Sequence, residues 1–502
     1  MEAGMTTATQ EMAVRAPAAP YFKGSSRLMG AAPDFAADSL ATLLRAHREH
    51  GDTVSMRFAH MPIMVCANPA DIQRVLVDNR ANYTKNTYPY QVLRLLLGNG
   101  LVTSEGSFWL RQRRTVQPAF HRDRMLGFAG MITNVSTDMA QTWEQAAARH
   151  ETRDVLEDMT LVTLRIAGYS LISRDLAAEA GGVGAALTVA QRYVDFRLNS
   201  PFSPHIAVPT RRNREFKDAR RMLRGLVERV IVERRSAPSS DADLLGLLMA
   251  AKDPETGATM GDEQLADEVL TILMAGHETT SNALAWTLYR LSMHPDVMRK
   301  VLAEIDLVLG DRTPTAEDLP RMPYLDAVLK ESMRVHPPVW IMDRWAENDD
   351  VLGGFHVKKG TTVITSPYLT HRHPALWRNP EGFDPERWFT PEVKALPRLA
   401  YFPFSIGQRK CVGDTLALLE APLILATLLQ KATVELVHGH PVEAETLITM
   451  RPKHGMKMVL HPREKRPGAA PQVAAPAAMT PEEAAAAGCP HHAAKLGQAA
   501  AR

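Results

Sequence analysis

A mainly helical fold with a small β portion, built as one large domain around one long buried helix, is what the sequence predicts, and three observations predict it. Of 502 residues, 45% are hydrophobic and 23% charged, enough to bury a large core. Helical patterns dominate from about Phe108 to His336, whereas β-like segments are short. No linker interrupts the middle and no internal repeat is present, although length alone would allow about two to four domains.

Residues 1–20 are small and polar without periodicity and are expected to form a flexible leader. Thr53–Phe58 and Pro62–Cys66, separated by Ala59, His60 and Met61, predict a short hairpin, and Asn68-Pro69 opens a helix. Cys66 is expected as a buried apolar residue of that hairpin. The helical region is broken by the turns Pro201–Pro209 and Ser236–Asp241, between which the basic stretch Arg211–Arg224 reads as the solvated face of a helix. A long helix follows over about Asp262–Met293. Its residues Val269, Leu270, Ile272, Leu273, Met274 and Ala275 are apolar nearly all the way round, so deep burial is expected. Val351–Thr365 turns β-like, with glycine turns at Gly353-Gly354 and Gly360. The folded unit is expected over residues 21–462. Residues 463–502 are rich in Ala and Pro, cannot form a core, and are expected to be disordered despite the ligand-type residues Cys489, His491 and His492.

Charge and cysteine usage set limits. A net charge of +2 gives no argument for nucleic-acid binding. Three widely separated cysteines are unlike a secreted disulfide framework and fit a reducing compartment. The N-terminal segment lacks the apolar stretch of a signal peptide and no run of ~20 apolar residues occurs, so a cytoplasmic protein without a membrane span is expected.

The stretch FSIGQRKCVG, Phe404–Gly413, sets Cys411 between two glycines and after two cations, just ahead of the apolar helix that begins at Asp414. Arg409, Lys410 and the helix N-terminus favour a thiolate, and Gly407 and Gly413 let the backbone turn and approach a flat partner. Three readings remain open from these residues: a buried structural cysteine, a nucleophile needing a base, or a lone thiolate ligand of the kind haem iron takes.

Phe404, Gly407, Arg409, Cys411 and Gly413 match the haem-binding signature of the cytochrome P450 superfamily, and the sequence resembles that family of haem-thiolate monooxygenases over about residues 21–462. Further segments follow the family's order. Ala275-Gly276-His277-Glu278-Thr279-Thr280 lies in the long helix; the resemblance implies that Glu278 and Thr279 deliver protons to bound dioxygen, while Ala275 and Gly276 shape the oxygen groove. Glu331 and Arg334, one turn apart, with Arg387 of the FDPERW segment, resemble a buried charge triad that braces the cysteine loop. Trp109 and Arg113, on one helical face, resemble the pair that reaches one haem carboxylate, and Arg344 resembles the arginine for the other, with Arg409 in part engaged there too.

The resemblance implies haem b with Cys411 as thiolate axial ligand, a P450 fold with the long helix over the haem, and insertion of one oxygen atom of O2 into a hydrophobic substrate such as a fatty acid or terpenoid. A non-catalytic haem sensor or carrier is the alternative. Electrons are expected from a separate ferredoxin or flavodoxin with its reductase, steered to a basic face of Arg111, Arg113, Arg114, Arg122, Arg124 and Lys410 on a monomer. By position in the family pattern, Tyr88, Leu93, Leu96, Leu97, Leu273, Ala275, Val339, Trp340, Ile341 and Met342 are candidates for the pocket.

Overall fold

The organising element is a helix of 32 residues, Asp262–Met293, started by two acids in its first turn and stopped before Pro295. At 1.5 Å per residue it runs about 48 Å. The computed structural model describes residues 16–178, 182–200, 203–236 and 243–463; Cys489, His491 and His492 lie outside the described residues. The longer helices that position the site are α1 (Tyr88–Leu97), α2 (Gly106–Val116), α3 (Ala129–Ala148), α4 (Val155–Ile172), α5 (Val183–Asn199), α6 (Arg211–Ser236), α7 (Asp262–Met293), α8 (Pro323–Val335) and α9 (Asp414–Leu429).

Among the described residues twelve short strands make the β portion: β1 (Thr53–Phe58), β2 (Met61–Cys66), β3 (Tyr83–Thr84), β4 (Thr152–Asp154), β5 (Met342–Ala346), β6 (Asp350–Leu352), β7 (Phe355–Val357), β8 (Thr362–Thr365), β9 (Ala432–Leu436), β10 (Ala444–Thr446), β11 (Met450–Pro452) and β12 (Lys457–Pro462). Five of them form one sheet in the order β1-β2-β8-β5-β3, in which β2 and β8 are parallel and the other pairs antiparallel. The hairpin forms where expected, with Met61 already inside β2, and Asn68 caps the next helix through the Ala70 N–H at 2.8 Å. Cys66 is fully buried in β2.

Two cores divide the helical region. One joins α3, α4, α8, α9 and the C-terminal half of α7 around Trp143, Trp286, Ile166 and Leu423. The other joins α1, α2, α5, α6 and the N-terminal half of α7 around Phe216, Leu223, Leu270 and Leu273. Because α7 contributes to both, it fixes the position of each against the other. Thr163 of α4 donates across the crossing to the His277 carbonyl oxygen at 3.0 Å.

The chain is held earlier than residue 21. The Pro17 carbonyl accepts from the His356 N–H and that of Pro20 from the Ser55 N–H, both at 2.8 Å, and Ala19 is buried. Strand-like backbone pairing, which small residues permit without periodicity, anchors the last residues of the expected leader. At the other end Arg463 pairs with Asp306 at 2.7 Å.

Candidate active site

The cysteine loop is shaped by its backbone. Cys411 donates its N–H to the Phe404 carbonyl at 2.9 Å, and Lys410 to that of Gly407 at 3.1 Å, closing the loop on itself. Gly407 has φ +70°, and a Cβ there would lie 2.8 Å from the Leu76 carbonyl oxygen, so glycine is required. Gly413 differs from expectation. Its φ is −92°, and a Cβ would meet only a Phe120 ring carbon at 3.9 Å; the turn itself does not demand it.

Cys411 sits deep among protein atoms, yet its side chain opens onto free space. Burial pushes its thiol above the ordinary range, helped by Asp414, and outweighs the Gly413 N–H, Arg113 and Lys410, which pull it down. The expected thiolate is therefore not secured by neighbouring cations alone, because desolvation wins; a metal ion bound to sulfur supplies what they lack. Arg409 takes no part in this balance. Its guanidinium stacks 3.6 Å from the Trp109 ring centroid, pairs with Glu105 at 2.7 Å and donates to the Ser104 carbonyl at 3.0 Å.

The structure brings the remaining expected cations close, with one reassignment. Arg113 donates to the Lys410 carbonyl at 2.9 Å, holding the residue before the cysteine, while Trp109 of the same helical face lies under Arg409. Arg344 is buried and donates to the Tyr90 hydroxyl at 3.3 Å. Lys85 and Tyr90, which sequence reasoning missed, join them. Lys85 is buried, donates to the Val102 carbonyl at 2.7 Å and lies 4.8 Å from the Tyr90 ring centroid. Burial, then Arg344 and Arg409, hold the Lys85 ammonium well below its ordinary range, and burial together with Arg344 brings Arg409 down to about 10. The buried Lys85 and Arg344 and the partly buried Arg409, which disfavour one another, with Glu105 and Asp343 as the nearby acids, form a set that two further carboxylates would complete.

Across the site, α7 presents an open face. Ala275 and Gly276 are exposed although the helix around them is buried, which overturns the expected deep burial of this stretch at its last residue. A Cβ on Gly276 would meet nothing within 4 Å. Thr279, on the same face one turn on, donates its hydroxyl to the Ala275 carbonyl at 2.7 Å. Glu278 points aside: its carboxylate accepts from Gln191 of α5 and from the Thr449 hydroxyl, each at 2.8 Å, and Thr449 in turn accepts from Asn282 at 3.0 Å. Val412 of the cysteine loop and Leu416 of α9 join the two sides, since both pack against the core that holds Leu273 and Met274.

Behind the loop the triad is assembled as expected. Glu331 and Arg334 are fully buried and doubly bonded, at 2.8 and 2.9 Å, and Arg387 reaches the same carboxylate at 3.0 Å. Trp388 and the Asp384 N–H add to it at 3.1 and 2.9 Å. Arg334 also donates to the carbonyls of His371, Pro380 and Gly382. His371, which no sequence signal singled out, passes this support on by accepting the Phe402 N–H at 3.0 Å, two residues before the cysteine loop begins.

Trp340 is not a pocket residue. It packs with Phe35, Ile63 and Ile364 in the core of the five-stranded sheet, and its indole N–H donates to the Leu447 carbonyl at 3.0 Å. Among the described residues one cluster has the donors for a metal ion, His47, Asp52 and His373. The Ala375 N–H faces His373 Nδ1 at 3.1 Å, so Nε2 carries the ring proton and donates to Asp52 at 2.9 Å; this is a satisfied polar contact. A groove of about 590 Å³ lined by Arg124, Phe128, Met131, Tyr169 and Asp243 shares no residue with the site.

A flat ligand that carries two carboxylates of its own and an iron for the buried sulfur meets all three demands of these residues, which makes the class a haem-thiolate protein. The family model for cytochrome P450 matches residues 23–459, and the chain belongs to that family. It is 34% identical over 82% of its length to cyclooctatin synthase of Streptomyces melanosporofaciens, covering 89% of that protein. It is 35% identical over 78% of its length to cyclooctat-9-en-7-ol 5-monooxygenase of the same organism, covering 84% of it, and 33% identical over 83% to pentalenene oxygenase of Streptomyces avermitilis, covering 90%. The crystal structure of the cytochrome P450DA heme domain superposes with a TM-score of 0.81 at 29% identity, over 89% of this chain and 98% of that one. The protein is a cytochrome P450 monooxygenase that inserts one oxygen atom of O2 into a hydrophobic substrate.

Proposed function

We propose that the substrate is a terpenoid and that the enzyme hydroxylates it, with haem b held by Cys411 and by Arg344, Arg409, Lys85 and Trp109. The site is carried by three features taken together: the closed Cys411 loop, the open Ala275-Gly276-Thr279 face of α7, and the buried Lys85 and Arg344 with Arg409 beside them. The relatives named for cyclooctat-9-en-7-ol and pentalenene favour a terpenoid over a fatty acid. When bound, the haem supplies reductive activation of O2, with thiolate donation favouring O–O cleavage.

The protein's part is positioning and proton supply. Ala275 and Gly276 leave room beside the ligand because they carry little or no side chain. Thr279 keeps its oxygen at that face and holds a proton donor there. Glu278 restores protons, and it does so after leaving Gln191 or Thr449, since both carboxylate oxygens are engaged by them. The apolar side chains of α1 and α7 exclude water from the rest of the site.

The enzyme is a cytoplasmic monomer that receives electrons from a separate ferredoxin or flavodoxin. Of the basic face, Arg114 pairs with Asp253 and Glu255, Lys410 with Asp414, and Arg113 with a backbone carbonyl, which leaves Arg111, Arg122 and Arg124 exposed for an acidic partner. The test is NADPH oxidation with a surrogate ferredoxin and reductase across a terpenoid and fatty-acid panel. Terpenoid-dependent turnover with hydroxylated product is expected; turnover with fatty acids alone would overturn the substrate class.

A further inference from the structure

Asp195 is a buried acid that the proton chemistry above does not use. It lies on α5 four residues after Gln191, so both side chains share the face that α5 turns toward α7. Gln191 reaches Glu278 from that face. Asp195 is 8% exposed, and its Oδ1 meets no hydrogen-bond donor. The backbone N–H of Ile448, in the turn between β10 and β11, bonds its carboxyl, while Glu278, Arg451 and Glu445 act on it through space. Arg451 is already committed to Glu445 at 2.8 Å, and among the described residues no cation pairs with Asp195.

A carboxyl left half-satisfied inside an apolar region is costly to the fold unless something else completes it. Glu278 cannot do so, since Gln191 and Thr449 occupy both of its oxygens. Its neighbours come from the elements next to the site: Glu278 adjoins Thr279 on α7, and Ile448, which packs against the core that holds Leu273 and Met274, adjoins Thr449, which bonds Glu278. We propose that Asp195 receives a hydroxyl group carried by the substrate, so that this enzyme acts on an apolar compound already oxygenated once. The proposal rests on the terpenoid reading above and narrows it to alcohols.

The chemistry of the acid suits that group. Burial, then Glu278, bring its carboxyl up to about 7, so near neutrality it offers both a proton and a lone pair. A hydroxyl is donor and acceptor at once, whereas an ammonium would require the charged carboxylate. The names of the relatives leave the choice open, one being an oxygenase of pentalenene and another a monooxygenase of an alcohol. An earlier hydroxylation, or a cyclisation ended by capture of water, must supply such a substrate, and the anchored hydroxyl would set which carbon is presented for the second oxygen.

The test titrates the haem-loaded protein with matched probes, farnesol against farnesene and 1-dodecanol against dodecane, reading the spin-state shift in the Soret region. Wild type, Asp195→Leu and Asp195→Asn are compared, each first shown to give the wild-type reduced carbon monoxide spectrum. In wild type the alcohols are expected to bind about tenfold more tightly than their hydrocarbons. Asp195→Leu should erase that margin through weaker alcohol binding, and Asp195→Asn, which keeps a donor and an acceptor, should retain part of it. If Leu does not fold, the partial loss in Asn decides. Equal margins in wild type and variant, or no preference in wild type while hydrocarbons bind, would overturn the role of Asp195 alone. No shift with any of the four probes would remove the apolar-substrate reading and this proposal with it.

Discussion

Arg334→Ala is expected to be among the most damaging single changes outside the iron ligand. The side chain makes two bonds to Glu331 and three to backbone carbonyls at 2.6–2.8 Å, all without solvent contact. Breaking a buried pair costs ~3–5 kcal/mol, and each carbonyl left without a donor adds ~1–3 kcal/mol, of which water entering the vacated space recovers part. A loss of ~4–7 kcal/mol against a typical stability of ~5–15 kcal/mol leaves little holoprotein at growth temperature. Arg387→Ala should cost less, ~1–3 kcal/mol, because Glu331 keeps Arg334, Trp388 and the Asp384 N–H. Removing all three charges in Glu331→Leu with Arg334→Leu and Arg387→Leu should damage the protein less than Arg334→Ala, as no unpaired buried charge remains. Haem content per chain and the urea midpoint measure all of these variants. A triple variant worse than Arg334→Ala, or Arg387→Ala as damaging as Arg334→Ala, would refute the charge-pairing argument.

Thr279→Ala should keep haem and substrate binding but lower product per NADPH and raise hydrogen peroxide, read by a peroxide assay alongside product. If the proposed haem assignment holds, Lys85→Met should speed haem loss, followed as transfer to an apo-globin acceptor, because a buried cation beside Arg344 and Arg409 is gone. Glu268 of α7 is fully buried and bonds the Leu101 N–H at 3.0 Å, and burial raises its carboxyl from 4.5 to about 8. The folded state then binds more protons than the unfolded chain between those values, so stability falls as pH rises through that window and levels off above it. Glu268→Gln should flatten the slope of urea midpoint against pH; an unchanged slope would assign the fall to other groups. Arg111→Glu and Arg124→Glu should slow reduction by a ferredoxin at low salt and converge with wild type at high salt, read by stopped flow.

Much of the fold could be read because periodicity and punctuation survive tertiary context. The central helix ends at Met293 as its pattern does, and the hairpin at Thr53 sits where two apolar runs flank a short gap. Pairing by backbone alone left no such trace. Pro17 and Pro20 pair with β7 and β1 through their carbonyls, with side chains that announce neither strand nor core.

Within the site, residues in a fixed local spacing were legible and those set by distant packing were not. Cys411, the Ala275–Thr280 stretch and the Glu331–Arg334 turn carry their geometry in the chain itself. Lys85 lies in a segment with no pattern, and it counts only because the fold sets it beside Arg344 and Arg409, residues 259 and 324 positions away. His371 is likewise silent in sequence, yet it accepts the Phe402 N–H and offers its carbonyl to Arg334, making it the link from the charge triad to the cysteine loop. Local sequence also misplaced charge. Proximity in the chain put Arg409 beside the thiol, whereas the fold turns it onto Trp109 and Glu105, because a guanidinium is better satisfied by an aromatic face and a carboxylate than by a sulfur whose proton burial retains. Nearness in the chain is thus no guide to Arg409, and because burial outweighs Arg113 and Lys410 the sulfur needs a bound metal ion to become a thiolate.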